Sequence, residues 1–201
     1  MLRRIMCFAL CFCVLPLSGC SKARHIDSAA LAETITVERR GSAKIYTFYL
    51  LSGKEKPWGI EIEADRFEEA KRLAETVYIP NMSMAKLKLM LIEQEIAEPQ
   101  LFEDVAFAAS DAVFSPLSYV ALCDSALLGQ MKKRKDLPEL IEKELILIKN
   151  NNEDINIDFL SVFNEFARQG SGGFEMTLVN SEKELKATRV FVKNRGFAGG
   201  E

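Results

Sequence analysis

Lys86-Leu87-Lys88-Leu89-Met90-Leu91-Ile92 is the stretch from which the fold is read. Leu87, Leu89 and Leu91 alternate with Lys86 and Lys88. A period of two marks a strand with one apolar face and one wet face. Downstream, Pro99 suits the first turn of a helix. Leu101, Phe102, Val105, Ala106, Ala109, Ala112 and Val113 then recur at helical spacing as a buried stripe. Ser115-Pro116 breaks that helix. Leu117 to Cys123 is nearly all apolar, as in a strand buried on both faces. A strand, a helix and a second apolar strand in succession point to helices layered on a sheet.

Upstream the pattern continues. Ile35-Thr36-Val37 is a brief strand signal, and Arg39-Arg40-Gly41-Ser42 reads as a turn. Ile45 to Leu51 is rich in aromatic and β-branched residues and predicts a strand. Ser52 to Pro57 is a polar loop. Gly59 to Glu63 alternates Ile60 and Ile62 with Glu61 and Glu63, a strand with one wet face. Asp65 followed by Glu68 has the spacing of a capping box. Phe67, Ala70, Leu73, Ala74, Val77 and Tyr78 trace the helix behind it, and Pro80 ends it.

Beyond Cys123, Asp124 or Ser125 caps a short helix through Leu128 and Met131. It closes on Lys132-Lys133-Arg134-Lys135, cations where the helix dipole favours them. Pro138 opens another helix with Leu140, Ile141, Leu145 and Ile148 inward, and Asn150-Asn151-Asn152 ends it. Asp158 caps a last helix, whose core side is Phe159, Phe163, Phe166 and Ala167. Gly170 to Gly173 is a loop. Phe174 to Val179 and Leu185 to Val192 are two further strands, joined by a turn around Asn180 to Lys183. The expectation is an α+β (mixed α/β) domain over residues 29–201, with a mixed sheet and about five helices.

The chemistry of sites is sparse. The 201 residues hold a single His, His25, so no His/Cys metal cage is expected. A Ser-His-Asp or Cys-His arrangement would have to use that one residue. Gly170-Ser171-Gly172-Gly173 follows a helix and precedes a strand, the reverse of a phosphate cradle. Glu61/Glu63 and Glu68/Glu69 are read as solvated faces, because nothing nearby in sequence would hold two carboxyl pKa values apart. Asn150 to Asp154 lacks the alternation and the glycine of a calcium loop. Lys132 to Lys135 is read as a solvated helix end rather than a lipid-headgroup site.

The first twenty residues carry the functional signal. Arg3 and Arg4 precede an uncharged, mostly apolar run from Ile5 to Leu17, and Leu17-Ser18-Gly19-Cys20 follows. A basic head, a short apolar run and small residues before the cut are the parts of an export signal. The run is shorter than the roughly 20 residues of a permanent membrane span. The pattern is that of a lipoprotein signal peptide over 1–19, with Leu17, Ser18 and Gly19 at the cleavage site. Cys20 becomes the new first residue, its thiol carrying a diacylglycerol and its amine open to acylation. Two or three acyl chains anchor stably where one does not. Residues 20–28 form a lipidated tether. The mature chain has 182 residues, with 24 basic against 29 acidic side chains and a formal net charge of −5. That balance argues against nucleic acid as a partner. Cys7, Cys11 and Cys13 leave with the leader, Cys20 is taken by lipid, and Cys123 is expected to be a buried, inert thiol.

The order of these segments resembles the Ger(x)C family, the lipoprotein C subunits of spore germinant receptors in endospore-forming Firmicutes. Leu17 to Cys20 matches the family's lipobox, and Arg24-His25-Ile26-Asp27 stands where the family has a Trp-Asp segment, without those two residues. Ala64 to Ala70 keeps the Glu69-Ala70 of a family helix motif and lacks its Gly and Thr. Ala85 to Glu93, continuing to Ile96-Ala97, matches the family's apolar strand with its Lys and Glu. The family's Arg-Asp pair before the next strand is missing, with Ser115-Pro116 near its place. Val190-Phe191-Val192-Lys193 with Gly199 is similar to the strand that opens the family's next portion, so 185–201 stands at that boundary. The resemblance implies the family's N-terminal domain without its C-terminal half. It further implies a non-enzymatic protein with no cofactor, on the outer face of the inner spore membrane. Its expected partners are the membrane, through lipid on Cys20, and integral-membrane A and B receptor subunits in nutrient-triggered germination. The alternative expectation is a cell-surface solute-binding lipoprotein, which requires a concave apolar pocket with convergent polar groups.

Overall fold

The computed structural model describes residues 30–51, 59–80, 82–98, 101–102, 104–105, 114–115, 117–151, 157–169, 173–181 and 185–192. Its strands are β1 (Ala30–Arg40), β2 (Ala43–Leu50), β3 (Gly59–Glu63), β4 (Met82–Ser83), β5 (Leu89–Glu93), β6 (Tyr119–Cys123), β7 (Phe174–Asn180) and β8 (Lys186–Val192). The helices are α1 (Phe67–Val77), α2 (Ser125–Met131), α3 (Leu137–Asn151) and α4 (Phe159–Gln169). The strands make one mixed sheet in the order β3-β2-β1-β5-β6-β7-β8, with β4 beside β1. β1, β5, β6 and β7 run parallel, and antiparallel hairpins β1-β2-β3 and β7-β8 flank them. The fold is α+β, as the sequence pattern predicts.

Two apolar cores lie on the two faces of this sheet. Met90, Ile92, Val120 and Leu122 face one core, shared with Phe67 of α1, Phe102, and Phe159, Val162 and Phe163 of α4. Leu89, Leu91, Ala121 and Cys123 face the other, covered by Leu127, Leu128 and Met131 of α2 and by Leu137, Ile141 and Leu145 of α3. Period-two alternation along each strand deals successive side chains to opposite cores. In the first core the rings of Phe159 and Phe163 stack at 4.2 Å, and Phe102 meets Phe174 edge-on at 5.0 Å.

The structure corrects several expectations. β5 begins at Leu89, and all five of its residues are buried, so it has no wet face. Leu87 joins the opposite core from Leu89 and Leu91, because its N–H bonds the Met84 carbonyl in a turn before the strand. The layer that includes α1 and α4 buries Met90 and Ile92 on the face expected to be wet, which local alternation could not reveal. Ile35 to Val37 is the middle of an eleven-residue strand that also takes in Arg39 and Arg40. Asp65 does not cap α1: Arg66 holds that position, with no side-chain bond. In α3 Leu140 is exposed and Ile148 half-buried, while Leu137 is buried, a rotation of the inward stripe. In α4 Ala167 is exposed and Val162 takes its place in the core. Leu117 precedes β6 and is exposed. Asp124 and Asp158 do cap: Leu127 N–H donates to Asp124 Oδ1 at 2.6 Å and Ser161 N–H to Asp158 Oδ1 at 2.9 Å. The expected loop 52–57, residues 106–113 of the helix after Pro99, Gly170 to Gly172 and residues 193–201 lie outside the described residues.

Candidate functional site

Cys20, with Leu17, Ser18 and Gly19, lies outside the described residues. The described residues begin at Ala30, the first residue of β1, ten positions after Cys20.

At the opposite end of β1 the fold assembles a charged group that sequence alone does not bring together. Glu38 and Arg40 stand near the end of β1, Glu61 on β3, and Lys132 at the C-terminal cap of α2. Arg40 reaches Glu38 at 2.7 Å and Glu61 at 2.8 Å. Lys132 reaches the same two carboxylates at 2.7 and 2.9 Å. Two cations and two carboxylates close a neutral ring that ties α2 to the β1-β2-β3 hairpins. Hydrogen bonding from Lys132, helped by Arg40, overcomes burial and holds the Glu61 carboxyl below its usual range. Glu61 is therefore ionised at neutral pH and holds no proton to donate. The arrangement suits fastening rather than acid-base chemistry.

Two further buried carboxylates are also engaged. Glu93 Oε2, at the end of β5, accepts the Arg39 N–H at 2.6 Å. Asp104 pairs with Arg66 Nε at 3.2 Å. Cys123 is fully buried, and burial pushes its thiol well above the ordinary value. That environment disfavours the thiolate, the reactive form. Among the described residues, no three His, Cys, Asp or Glu side chains are grouped to hold a metal ion.

Glu68 and Glu69 are exposed on α1, as expected of a solvated face. With Arg66, Lys71, Arg72 and Glu75 they line a surface groove of about 410 Å³. Every one of these six side chains is charged, unlike the apolar lining of a small-molecule site. Glu63 is exposed, whereas Glu61 is not the free carboxylate its strand pattern implied. Lys132 likewise leaves the solvated helix end to join the ring. Its distance of 94 residues from Glu38 hides the pair from any local pattern. Among the described residues, no helix is long and apolar enough to cross a membrane.

No family model, curated protein or solved structure matches this chain.

Proposed function

We propose that this protein is a non-catalytic lipoprotein, held on a membrane by lipid on Cys20, that acts through protein–protein contacts in nutrient-triggered spore germination. The observation that carries the anchoring is the leader itself: Arg3-Arg4, the apolar run to Leu17, and Leu17-Ser18-Gly19-Cys20 in order. The germination role rests on the resemblance to the Ger(x)C subunits, whose distinctive parts here are that leader and the strand from Lys86 to Ala97. The partners are the membrane and integral A and B receptor subunits. A protein that works by contact has use for a rigid scaffold with its buried carboxylates fastened, and Glu38, Glu93 and Asp104 are fastened in this way. The charged lining of the α1 groove gives the solute-binding alternative no support.

Mass spectrometry of the native protein is expected to show Cys20 as the first residue, bearing diacylglycerol. An intact leader or a bare thiol there overturns the anchoring. Cys20→Ala should move the protein from the membrane to the soluble fraction. Deletion should impair germination by nutrients, and the protein should co-purify with A or B subunits. Normal nutrient germination after deletion overturns the receptor role and leaves the lipid anchor standing.

A further inference from the structure

The sheet has two unlike ends, and the chain enters it at the apolar one. Register places Thr34 of β1 beside Leu89 of β5, and Leu89 beside Tyr119 of β6. The residues just before these form one rim. Leu51 donates its N–H to the Leu31 carbonyl at 2.8 Å, which sets Leu51 on that rim. α1 ends there at Val77 and Tyr78, and the chain returns at once to pair Met82 and Ser83 with Ala30 and Leu31. Phe159 N–H bonds the Ser118 carbonyl at 2.7 Å, which brings Leu160 near Leu117. Leu51, Val77, Tyr78, Leu117 and Leu160 are between 47% and 80% exposed. They are five of the eight large apolar side chains exposed among the described residues, so exposure is concentrated at this rim. The far end holds Glu38, Arg40, Glu61 and Lys132. Ten residue steps of β1 put it roughly 33 Å away.

We propose that this rim rests on the lipid bilayer, with Leu51, Val77, Tyr78, Leu117 and Leu160 seated in the headgroup–acyl boundary. The inference rests on the lipid-anchor reading above. The ten residue steps from Cys20 to Ala30 span at most about 36 Å fully extended, so holding Ala30 roughly 33 Å above the bilayer with the far end down would need an almost straight tether, whereas this end of β1 is reached by any shorter path. Leucine and valine side chains can enter the acyl boundary, and tyrosine suits the interface, where its apolar ring enters and its hydroxyl tip stays wet. The reverse orientation would press the ion-paired ring into the bilayer and desolvate four charges.

The test uses the mature acylated protein in phosphatidylcholine–phosphatidylglycerol vesicles. One environment-sensitive dye is placed at Leu117→Cys, or at Tyr78→Cys as a second rim position, and separately at Lys133→Cys on the far end. Cys123 is buried and stays unlabelled. Brominated acyl chains should quench both rim dyes at least roughly threefold more than the Lys133 dye, as expected for a face inserted about 5–10 Å. Equal, weak quenching while the protein still floats with the vesicles overturns the rim contact and spares the anchor. Should the chain not float, the anchor reading fails. The same dyes are then read on protein held to nickel-chelating lipid by a hexahistidine at its N-terminus, where unequal quenching supports the rim contact and equal quenching overturns it. Rim shielding that appears only when integral receptor subunits are reconstituted also overturns the proposal, in favour of a protein contact.

Discussion

Lys132 shows how one side chain can join parts of the chain far apart in sequence. Its ammonium holds Glu38 and Glu61 at once, and Glu38 is only 12% exposed on its side chain. Lys132→Ala leaves Arg40 alone to serve both carboxylates. The variant should lose about 1 kcal/mol in urea unfolding, the upper part of the range for partly exposed pairs. Raising the salt should shrink the difference, since the ring is partly open to solvent. The pH dependence follows from Glu61, whose carboxyl Lys132 holds low. A depressed folded-state pKa contributes stability above the ordinary Glu value, about 4.3, and loses it as pH falls through the folded value. The gap between wild type and Lys132→Ala should therefore be full at pH 7 and close on the acid side of pH 4. A gap that widens in acid would contradict this assignment. The sequence shows Glu61 on a wet strand face and Lys132 at a helix end, and both positions are correct. Their meeting depends on how α2 folds back over the sheet.

At the scale of elements, local chemistry decides where a segment starts and stops, and packing decides which faces are buried. The caps at Asp124 and Asp158 were legible because a side-chain oxygen two or three residues from the first free N–H groups is a local matter. The wet face assigned to the 86–92 strand was wrong because a second layer, with Phe67 of α1 and Phe159, Val162 and Phe163 of α4, covers Met90 and Ile92 on that face. Met90→Ala should accordingly cost about 2–5 kcal/mol, as for a fully buried methionine, while Lys86→Ala should change stability by under roughly 0.5 kcal/mol. The β7-β8 hairpin offers a sharper case. Gly173 has φ +85, and an added Cβ would lie 2.5 Å from the Val192 carbonyl oxygen and 2.7 Å from the Phe191 ring. Gly173→Ala combines a left-handed backbone with a clash against backbone. It should destabilise by about 1–3 kcal/mol in thermal or chemical unfolding. An unchanged midpoint would show that the hairpin can shift to accept a methyl group.

Across the whole molecule, Cys123 reports on the sheet. It ends a central parallel strand with a helical layer on either side, and it is fully buried. Burial also raises its thiol, so both access and ionisation oppose attack. Peptide mapping after exposure to a thiol reagent at pH 8 should find Cys123 unmodified in native protein and fully modified in denaturant. Its slow native-state modification should track global unfolding, as expected of a core strand rather than a fraying edge. Rapid labelling without denaturant would mean that β6 opens locally. By itself the sequence determined the α+β class, the order of the longer strands and helices and the caps at Asp124 and Asp158, because periodicity, capping oxygens and proline stops act within a few residues. Only the tertiary structure decided that β5 is buried on both faces, that Glu38, Arg40, Glu61 and Lys132 form one ring, and that exposed apolar side chains gather at the rim where β1 begins. Those outcomes depend on which distant segments become neighbours, and no window along the chain contains that information.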